Sequence, residues 1–142
     1  MKSKNAKAGI PPNPYNPHAW IIGKPKIGPD TWIGAFTLID AEHANVSIGK
    51  GCNISSGAQV ISHSTAIRAV SEGKKPIQSA DVEIGEYCFI GSNAVILMGA
   101  RIGHHSVIGA GCVVPEHTTI PPYSLVVGVP ARIIGTTKKY LL

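Results

Sequence analysis

Apolar residues recur at every sixth position along most of the chain. Upstream of residue 40 the series is Ile21, Ile27, Ile33 and Ile39. A later series, in a phase shifted by three residues, is Ile48, Ile54, Val60, Ile84, Ile90, Ile96, Ile102, Ile108, Val114, Ile120 and Val126. A period of six matches neither the 3.6-residue period of a helix nor the simple alternation of a long strand. It predicts short strands separated by tight turns.

Two further columns accompany the aliphatic one, giving the formula aliphatic–Gly–x–x–small–x. Residues two apart on a strand face the same way, so the aliphatic and the small side chains are both expected to point inward. The glycine is expected at the turn, where its permissive backbone is useful. All three cysteines, Cys52, Cys88 and Cys112, fall in the small column. Free cysteine behaves there as a small buried apolar residue, which predicts no disulfide, no metal cage and no catalytic thiol.

This pattern resembles that of the hexapeptide-repeat acyltransferases over residues 20–135. The resemblance implies an all-β fold, a left-handed parallel β-helix of about five to six coils with three hexapeptides per coil. Such a solenoid is stabilised by stacking between neighbouring coils. Residues 1–19 are expected to be a flexible N-terminal tail, and residues 136–142 a short C-terminal tail.

The repeat is interrupted twice. The step from Ile39 to Ile48 is nine, so three extra residues enlarge one corner. The step from Val60 to Ile84 is 24, which is equivalent to one missing coil. Residues 62–81 are therefore expected to form a loop insertion, and long loops on rigid scaffolds commonly carry binding and catalytic residues.

His63 stands at the root of that insertion, in the segment ISSGAQVISHS, which resembles the sugar O-acetyltransferase branch of the family. The resemblance implies that His63 is the catalytic base, since imidazole can take the proton of an attacking hydroxyl near neutral pH. A solvated loop histidine is the alternative. Glu42, His43 and Arg68 are candidate acceptor-binding residues, and the first two could also orient His63.

The segments IGSNAVILMGARIGHHSVIGAGCVV and IPPYSLVVGVPARIIG resemble the terminal coils of galactoside and related acetyltransferases. The resemblance implies that acetyl-CoA lies in a groove between two subunits of a homotrimer. Ser92 would lie near the thioester and Ala110 along the pantetheine arm, while Arg132 and Lys138 would contact phosphates. Glu116 departs from the family pattern, because related enzymes commonly carry a lysine there.

Three histidines outside the insertion, His104, His105 and His117, are expected at solvated corners, with His117 at the corner equivalent to that of the other two, one coil later. A zinc site like that of the γ-class carbonic anhydrases is the alternative, but the closely spaced histidine pair of that family is missing, so no metal is expected. Two further alternatives for the whole chain stay open. One is N-acetylation of a nucleotide-linked amino sugar, and the other is a catalytically silent scaffold.

Composition and charge disfavour several other classes of fold and function. The 16 glycines and 11 prolines among 142 residues disfavour a helical bundle. The net charge of +5 falls to +2 without the three lysines of the first seven residues, which disfavours a nucleic-acid surface. No apolar run reaches the length of a membrane span or a signal-peptide core. The prediction is a cytoplasmic enzyme that transfers acetyl from acetyl-CoA to a hydroxyl of a sugar or saccharide.

Overall fold

The computed structural model describes residues 9–142, which wind into five coils of three short strands each. Coil 1 contains β1 (Trp20–Gly23), β2 (Lys26–Ile27) and β3 (Trp32–Ile33). Coil 2 contains β4 (Leu38–Ala41), β5 (Val46–Ile48) and β6 (Asn53–Ile54). Coil 3 contains β7 (Gln59–Ile61), then an insertion with β8 (His63–Ser64), α1 (Ala66–Val70) and β9 (Gln78–Ser79), then β10 (Val82–Ile84) and β11 (Phe89–Ile90).

The last two coils are regular, and the chain then reverses. Coil 4 contains β12 (Val95–Ile96), β13 (Arg101–Ile102) and β14 (Val107–Ile108). Coil 5 contains β15 (Val113–Val114), β16 (Thr119–Ile120) and β17 (Ser124–Val127). After it come an antiparallel strand, β18 (Arg132–Thr136), and a 3₁₀ turn (Lys138–Leu141).

Equivalent strands of successive coils pair in parallel and form three sheets. Sheet A is β1-β4-β7-β12-β15, sheet B is β2-β5-β10-β13-β16, and sheet C is β3-β6-β11-β14-β17 with β18 at its edge. The register places each aliphatic residue of the repeat beside its equivalent one coil away, as Ile84 beside Ile102 and Ile90 beside Ile108. The fold is therefore a parallel β-solenoid, consistent with the left-handed β-helix that the resemblance implies.

The core consists of the two inward columns that the sequence predicts. Cys52 and Cys88 are 2% exposed, and Cys112 is fully buried. Their thiols remain free. Burial raises the pKa of the Cys112 thiol, and the neighbouring Cys52 thiol together with burial raises that of Cys88. The prediction of buried cysteines is confirmed.

The insertion lies inside coil 3, because Val60 pairs with Ile96 and Ile84 pairs with Ile48 in adjacent sheets. No coil is missing from the stack, since residues 61–81 take the place of one ordinary corner. The insertion also has local structure. His63 and Ser79 pair in an antiparallel ladder at its root, and α1 follows the ladder.

The glycine that often follows the aliphatic residue is required for a reason other than the one expected. Gly85 and Gly91 do not have positive φ. A Cβ on Gly85 would lie 2.5 Å from the backbone nitrogen of His104, and one on Gly91 would lie 2.5 Å from that of Ala110. The glycine is needed because the next coil passes too close for a side chain.

The left-handed backbone conformation occurs two residues further on, and often in residues other than glycine. Tyr87, His105 and Tyr123 have φ of 55°, 58° and 61° at the same corner of coils 3, 4 and 5. Their backbone N–H groups donate to carbonyls of the preceding coil, as His105 does to Glu86 at 2.9 Å. This hydrogen bond compensates the cost of the left-handed conformation at each corner.

Part of the predicted N-terminal tail, residues 1–19, forms a hydrogen-bonded turn before β1. Residues 1–8 lie outside the described part of the chain. The side-chain oxygen of Asn13 accepts hydrogen bonds from the backbone of Tyr15 and Asn16, and its amide donates to Ala19. Ala19 is fully buried, so this turn leads into the first coil.

The outer surfaces of the three sheets differ in polarity. On sheet B the outward ladder is wholly polar: Lys26, Ser47, Glu83, Arg101 and Thr119. On sheet A it is Trp20, Leu38, Gln59, Val95 and Val113, and on sheet C it is Trp32, Asn53, Phe89, Val107 and Leu125. Sheets A and C therefore present largely apolar outer faces, each interrupted by one polar residue. Within residues 9–142, no helix is long and apolar enough to cross a membrane.

Candidate active site

Both interruptions of the repeat occur at the corner between sheets A and B, in adjacent coils. The enlarged corner of coil 2 runs from the end of β4 to β5, and the insertion of coil 3 follows β7. The backbone N–H and the hydroxyl of Ser62 both donate to the carbonyl of Asp40, at 3.2 and 2.7 Å. These bonds hold His63 against the enlarged corner of coil 2.

His63 faces a carboxylate there. Its Nδ1 lies 3.5 Å from Asp40 Oδ2, with the two side chains 21% and 10% exposed. Nδ1 is buried and makes no hydrogen bond within the described residues. A buried ring nitrogen directed at a carboxylate favours the tautomer with its proton on Nδ1, which leaves the Nε2 lone pair to accept a proton. Such contacts are often long before substrate binds.

The other side chains of this corner differ in their relation to His63. The His43 ring centroid is 4.5 Å from that of His63, and His43 is exposed. Glu42 reaches the site only through its backbone N–H, which donates to Asp40 Oδ1 at 3.1 Å. Arg68 lies on α1 and its guanidinium approaches only the carbonyl of Gly73 within the insertion, at 3.5 Å. The structure thus places His63 beside Asp40 and His43, whereas the only polar contact of the Arg68 side chain among the described residues is within the insertion.

Asp40 is the residue that the sequence reasoning missed. It follows Ile39 at the position where the repeat carries glycine, and its neighbours in the ladder are Ile22 and Ile61. An acidic residue directly after a repeat isoleucine, at the start of an enlarged corner, was the available signal.

The predicted donor-binding residues lie on other edges of the solenoid. Ser92 and Ala110 are exposed at the corner between sheets C and A, in successive coils, and the N–H of Gly111 donates to the Ser92 carbonyl at 2.9 Å. Arg132 is exposed on β18, and Lys138 Nζ lies 5.4 Å from the Tyr123 ring centroid. The whole width of sheet A separates this corner from His63 within one chain.

The remaining histidines fall at two different corners. His104 and His105 lie between sheets B and C, where the His105 ring is 5.2 Å from Tyr87 and 5.0 Å from Tyr123. His117 was expected at the equivalent corner one coil later. That expectation is wrong, since His117 lies over Gly99 between sheets A and B. In residues 9–142, no three His, Cys, Asp or Glu side chains converge as metal ligands would.

The sequence is similar to that of known proteins with hexapeptide repeats, which agrees with the coiled architecture. The profile of the hexapeptide repeat of succinyl-transferase matches residues 81–115. The match and the solenoid together support the hexapeptide-repeat acetyltransferase family. A 2,3,4,5-tetrahydropyridine-2,6-dicarboxylate N-succinyltransferase of Xylella fastidiosa is 33% identical over an alignment of length 119, and the alignment covers 71% of this chain. The aligned part is 39% of that enzyme, so the chain spans well under half the length of this relative.

Two solved structures share the architecture. The hexapeptide-repeat acetyltransferase of Vibrio cholerae O1 biovar eltor, solved with acetyl-CoA, has a TM-score of 0.69 and 28% identity over 84% of this chain and 60% of its own. AntD, an N-acyltransferase from Bacillus cereus solved with dTDP and 3-hydroxybutyryl-CoA, has a TM-score of 0.78 and 22% identity over 89% of this chain and 70% of its own. The second likeness supports the fold alone.

Proposed function

We propose that the protein transfers an acetyl group from acetyl-CoA to a hydroxyl of a saccharide, with His63 as the general base. The observation that carries the proposal is the pairing of His63 Nδ1 with the Asp40 carboxylate at the corner between sheets A and B, where both interruptions of the repeat lie. A hydroxyl is a weak nucleophile, and a histidine oriented by a carboxylate is suited to remove its proton during attack.

The reaction needs no covalent intermediate on the protein. The acceptor oxygen attacks the thioester carbonyl while its proton passes to His63 Nε2. The tetrahedral intermediate then expels the CoA thiolate, which takes that proton to leave as the free thiol. Asp40 holds the imidazole in place and stabilises the imidazolium. The buried cysteines agree with direct transfer, because they offer no exposed thiolate.

The proposal includes a homotrimer, because one chain separates the parts of the site. Ser92 and Ala110 lie across sheet A from His63, so His63 of one subunit would meet the donor corner of its neighbour. The largely apolar outer faces of sheets A and C support subunit contacts, because large exposed apolar patches commonly mark interfaces. Arg132 and Lys138 would then contact the CoA phosphates.

N-acetylation is the second candidate. It is favoured by the N-succinyltransferase from Xylella and by AntD, both of which act on nitrogen according to their names. An amine acceptor that is already unprotonated depends less on a base than a hydroxyl does. The two candidates are therefore separable by how strongly the rate depends on His63 and Asp40.

The first experiment is an acceptor screen with acetyl-CoA, in which release of the free CoA thiol is followed with a chromogenic disulfide. Sugars, saccharides and nucleotide-linked amino sugars are supplied in parallel. We expect thiol release with hydroxyl acceptors, and mass spectrometry of the product to show an ester. Release with amino sugars alone would favour the second candidate, and no release with either class would contradict the proposal.

Changing Asp40 to Asn is expected to lower kcat by roughly 10- to 1,000-fold with little change in the KM for acetyl-CoA, because an amide can stabilise the wrong imidazole tautomer. Asparagine keeps the side-chain oxygen that accepts the Glu42 N–H, so the corner should remain folded. Glu42→Gln is the matched control and should keep nearly full activity. A loss with Glu42→Gln and none with Asp40→Asn would contradict the assignment.

A further inference from the structure

A hollow of about 530 Å³ lies on the outer face of sheet B, away from His63. It crosses coils 2 to 5, which is about 14 Å at the usual strand spacing of about 4.8 Å. Glycines of the repeat, including Gly85 and Gly103, are among the residues that line it. Polar side chains of sheet B form one wall, and residues of the next corner form the other.

A second hollow of about 220 Å³ continues the first toward the candidate active site. The two share Ser47 and Glu83, and the second also reaches Asn45 and Asp81. The Asn45 N–H donates to Asp81 Oδ1 at 3.0 Å, which ties the enlarged corner of coil 2 to the end of the insertion. The backbone N–H of Ala80, the residue before Asp81, donates to the carbonyl of Ser62 at 3.0 Å, and Ser62 directly precedes His63 in the chain. The second hollow therefore borders the ends of both interruptions at the corner that carries His63, and the first extends it across sheet B.

The charges lining these hollows cancel. The cations are Lys24, Lys26 and Arg101, and the carboxylates are Asp81, Glu83 and Glu86. Arg101 and Glu83 lie 3.7 Å apart and are both largely exposed, so each retains hydrogen-bonding capacity. Alternating donors and acceptors without net charge suit hydroxyl groups, which both donate and accept. A polyanionic ligand would meet as many carboxylates as cations.

The far end of the larger hollow adds apolar ring surface. His104 and Pro122 line it at the corner between sheets B and C. The C–H faces of a pyranose ring pack well against such rings. The wholly polar ladder of sheet B, unlike the apolar ladders of sheets A and C, also indicates that this face meets a hydrophilic ligand rather than another subunit.

We propose that the acceptor is a neutral oligosaccharide of several residues that extends over sheet B. Its reacting hydroxyl lies at His63, and its other sugar residues occupy the two hollows, with Arg101, Glu83 and His104 as specificity-determining contacts. This inference rests on the proposed function and gives its acceptor a size and a charge. A monosaccharide would fill only the end of the site nearest His63.

The test measures binding and transfer separately. The probes are neutral oligosaccharides of one to five glucose, galactose, mannose or N-acetylglucosamine residues. Binding is measured by calorimetry on the full chain without acetyl-CoA. For the preferred sugar, we expect the Kd to fall about tenfold or more from monomer to tetramer. Arg101→Gln should raise the Kd of the tetramer about tenfold, since it removes a charged hydrogen-bond donor. It should raise the KM of the tetramer without lowering kcat.

Asp30→Asn is the matched control, because Asp30 is exposed on coil 1 outside both hollows. It should leave the Kd of the tetramer unchanged. An affinity independent of chain length, an unaffected Arg101→Gln variant, or preference for a phosphorylated glycan would each overturn the inference. Length-dependent binding without acetyl transfer would contradict only the proposed function. Transfer without length dependence would contradict only this inference.

Discussion

Replacing His63 by Ala should lower kcat for O-acetyl transfer by about 10²–10⁴-fold while the affinity for acetyl-CoA stays unchanged. This range is the usual contribution of a general base. The side chain removed is the one whose Nδ1 faces Asp40, and within a single chain it lies across sheet A from the predicted donor corner. Binding of CoA should therefore survive the change. Rates are measured by thiol release, and CoA affinity by calorimetry.

His43→Ala is the appropriate control, because the two rings lie 4.5 Å apart at the same corner. His43 has no carboxylate partner within the described residues, so its loss should cost less than tenfold. Full activity of His63→Ala would remove the base assignment. Equal losses from both variants would indicate general disturbance of the corner rather than proton transfer.

Changing Gly85 to Ala should destabilise the fold by about 3 kcal/mol or more, which is the upper end of the range for overpacking. The added Cβ would meet the backbone nitrogen of His104 at 2.5 Å and its Cα at 2.8 Å. Backbone atoms paired between coils cannot move aside as a flexible side chain can. Urea titration followed by circular dichroism measures the free energy of unfolding.

Gly135→Ala provides the comparison. Gly135 has no left-handed φ, and its new Cβ would meet only the Leu125 side chain, at 3.7 Å. This ordinary van der Waals contact should change the free energy of unfolding by no more than about 0.5 kcal/mol. Similar losses in both variants would contradict the close-approach explanation, because Gly135 has no backbone atom near the added Cβ. The lower entropy of the unfolded chain after a Gly-to-Ala change stabilises a fold and cannot cause such a loss.

The fold could be predicted well from the sequence because every coil of a solenoid uses the same local pattern of inward and outward residues. Every coil places an aliphatic residue and a small residue inward, so the period of six, the burial of Ile90 and that of Cys112 follow from spacing. The role of glycine was misjudged because close approach between coils is a contact between residues about 18 positions apart. No local turn preference reveals that contact.

The candidate site was harder to predict, because corners lie outside the repeat. Spacing alone located both interruptions, and the resemblance singled out His63. That the interruptions share one corner, and that Asp40 faces His63, depends on how the enlarged corner of coil 2 stacks under the insertion of coil 3. The misplacement of His117 arose similarly, since its distance of 12 residues from His105 corresponds to two corners rather than one whole coil.

The reversal of the chain after coil 5 covers strand edges that would otherwise be exposed at the end of the stack. A stack of parallel coils offers hydrogen-bonding edges at its end, and such edges recruit further chains. Here β18 pairs antiparallel with β17, and the N–H of Ala131 donates to the Val113 carbonyl at 2.9 Å. The same short segment thus occupies the open edges of sheets C and A. It therefore blocks the pairing of another chain at these two edges, and so disfavours end-to-end growth into filaments.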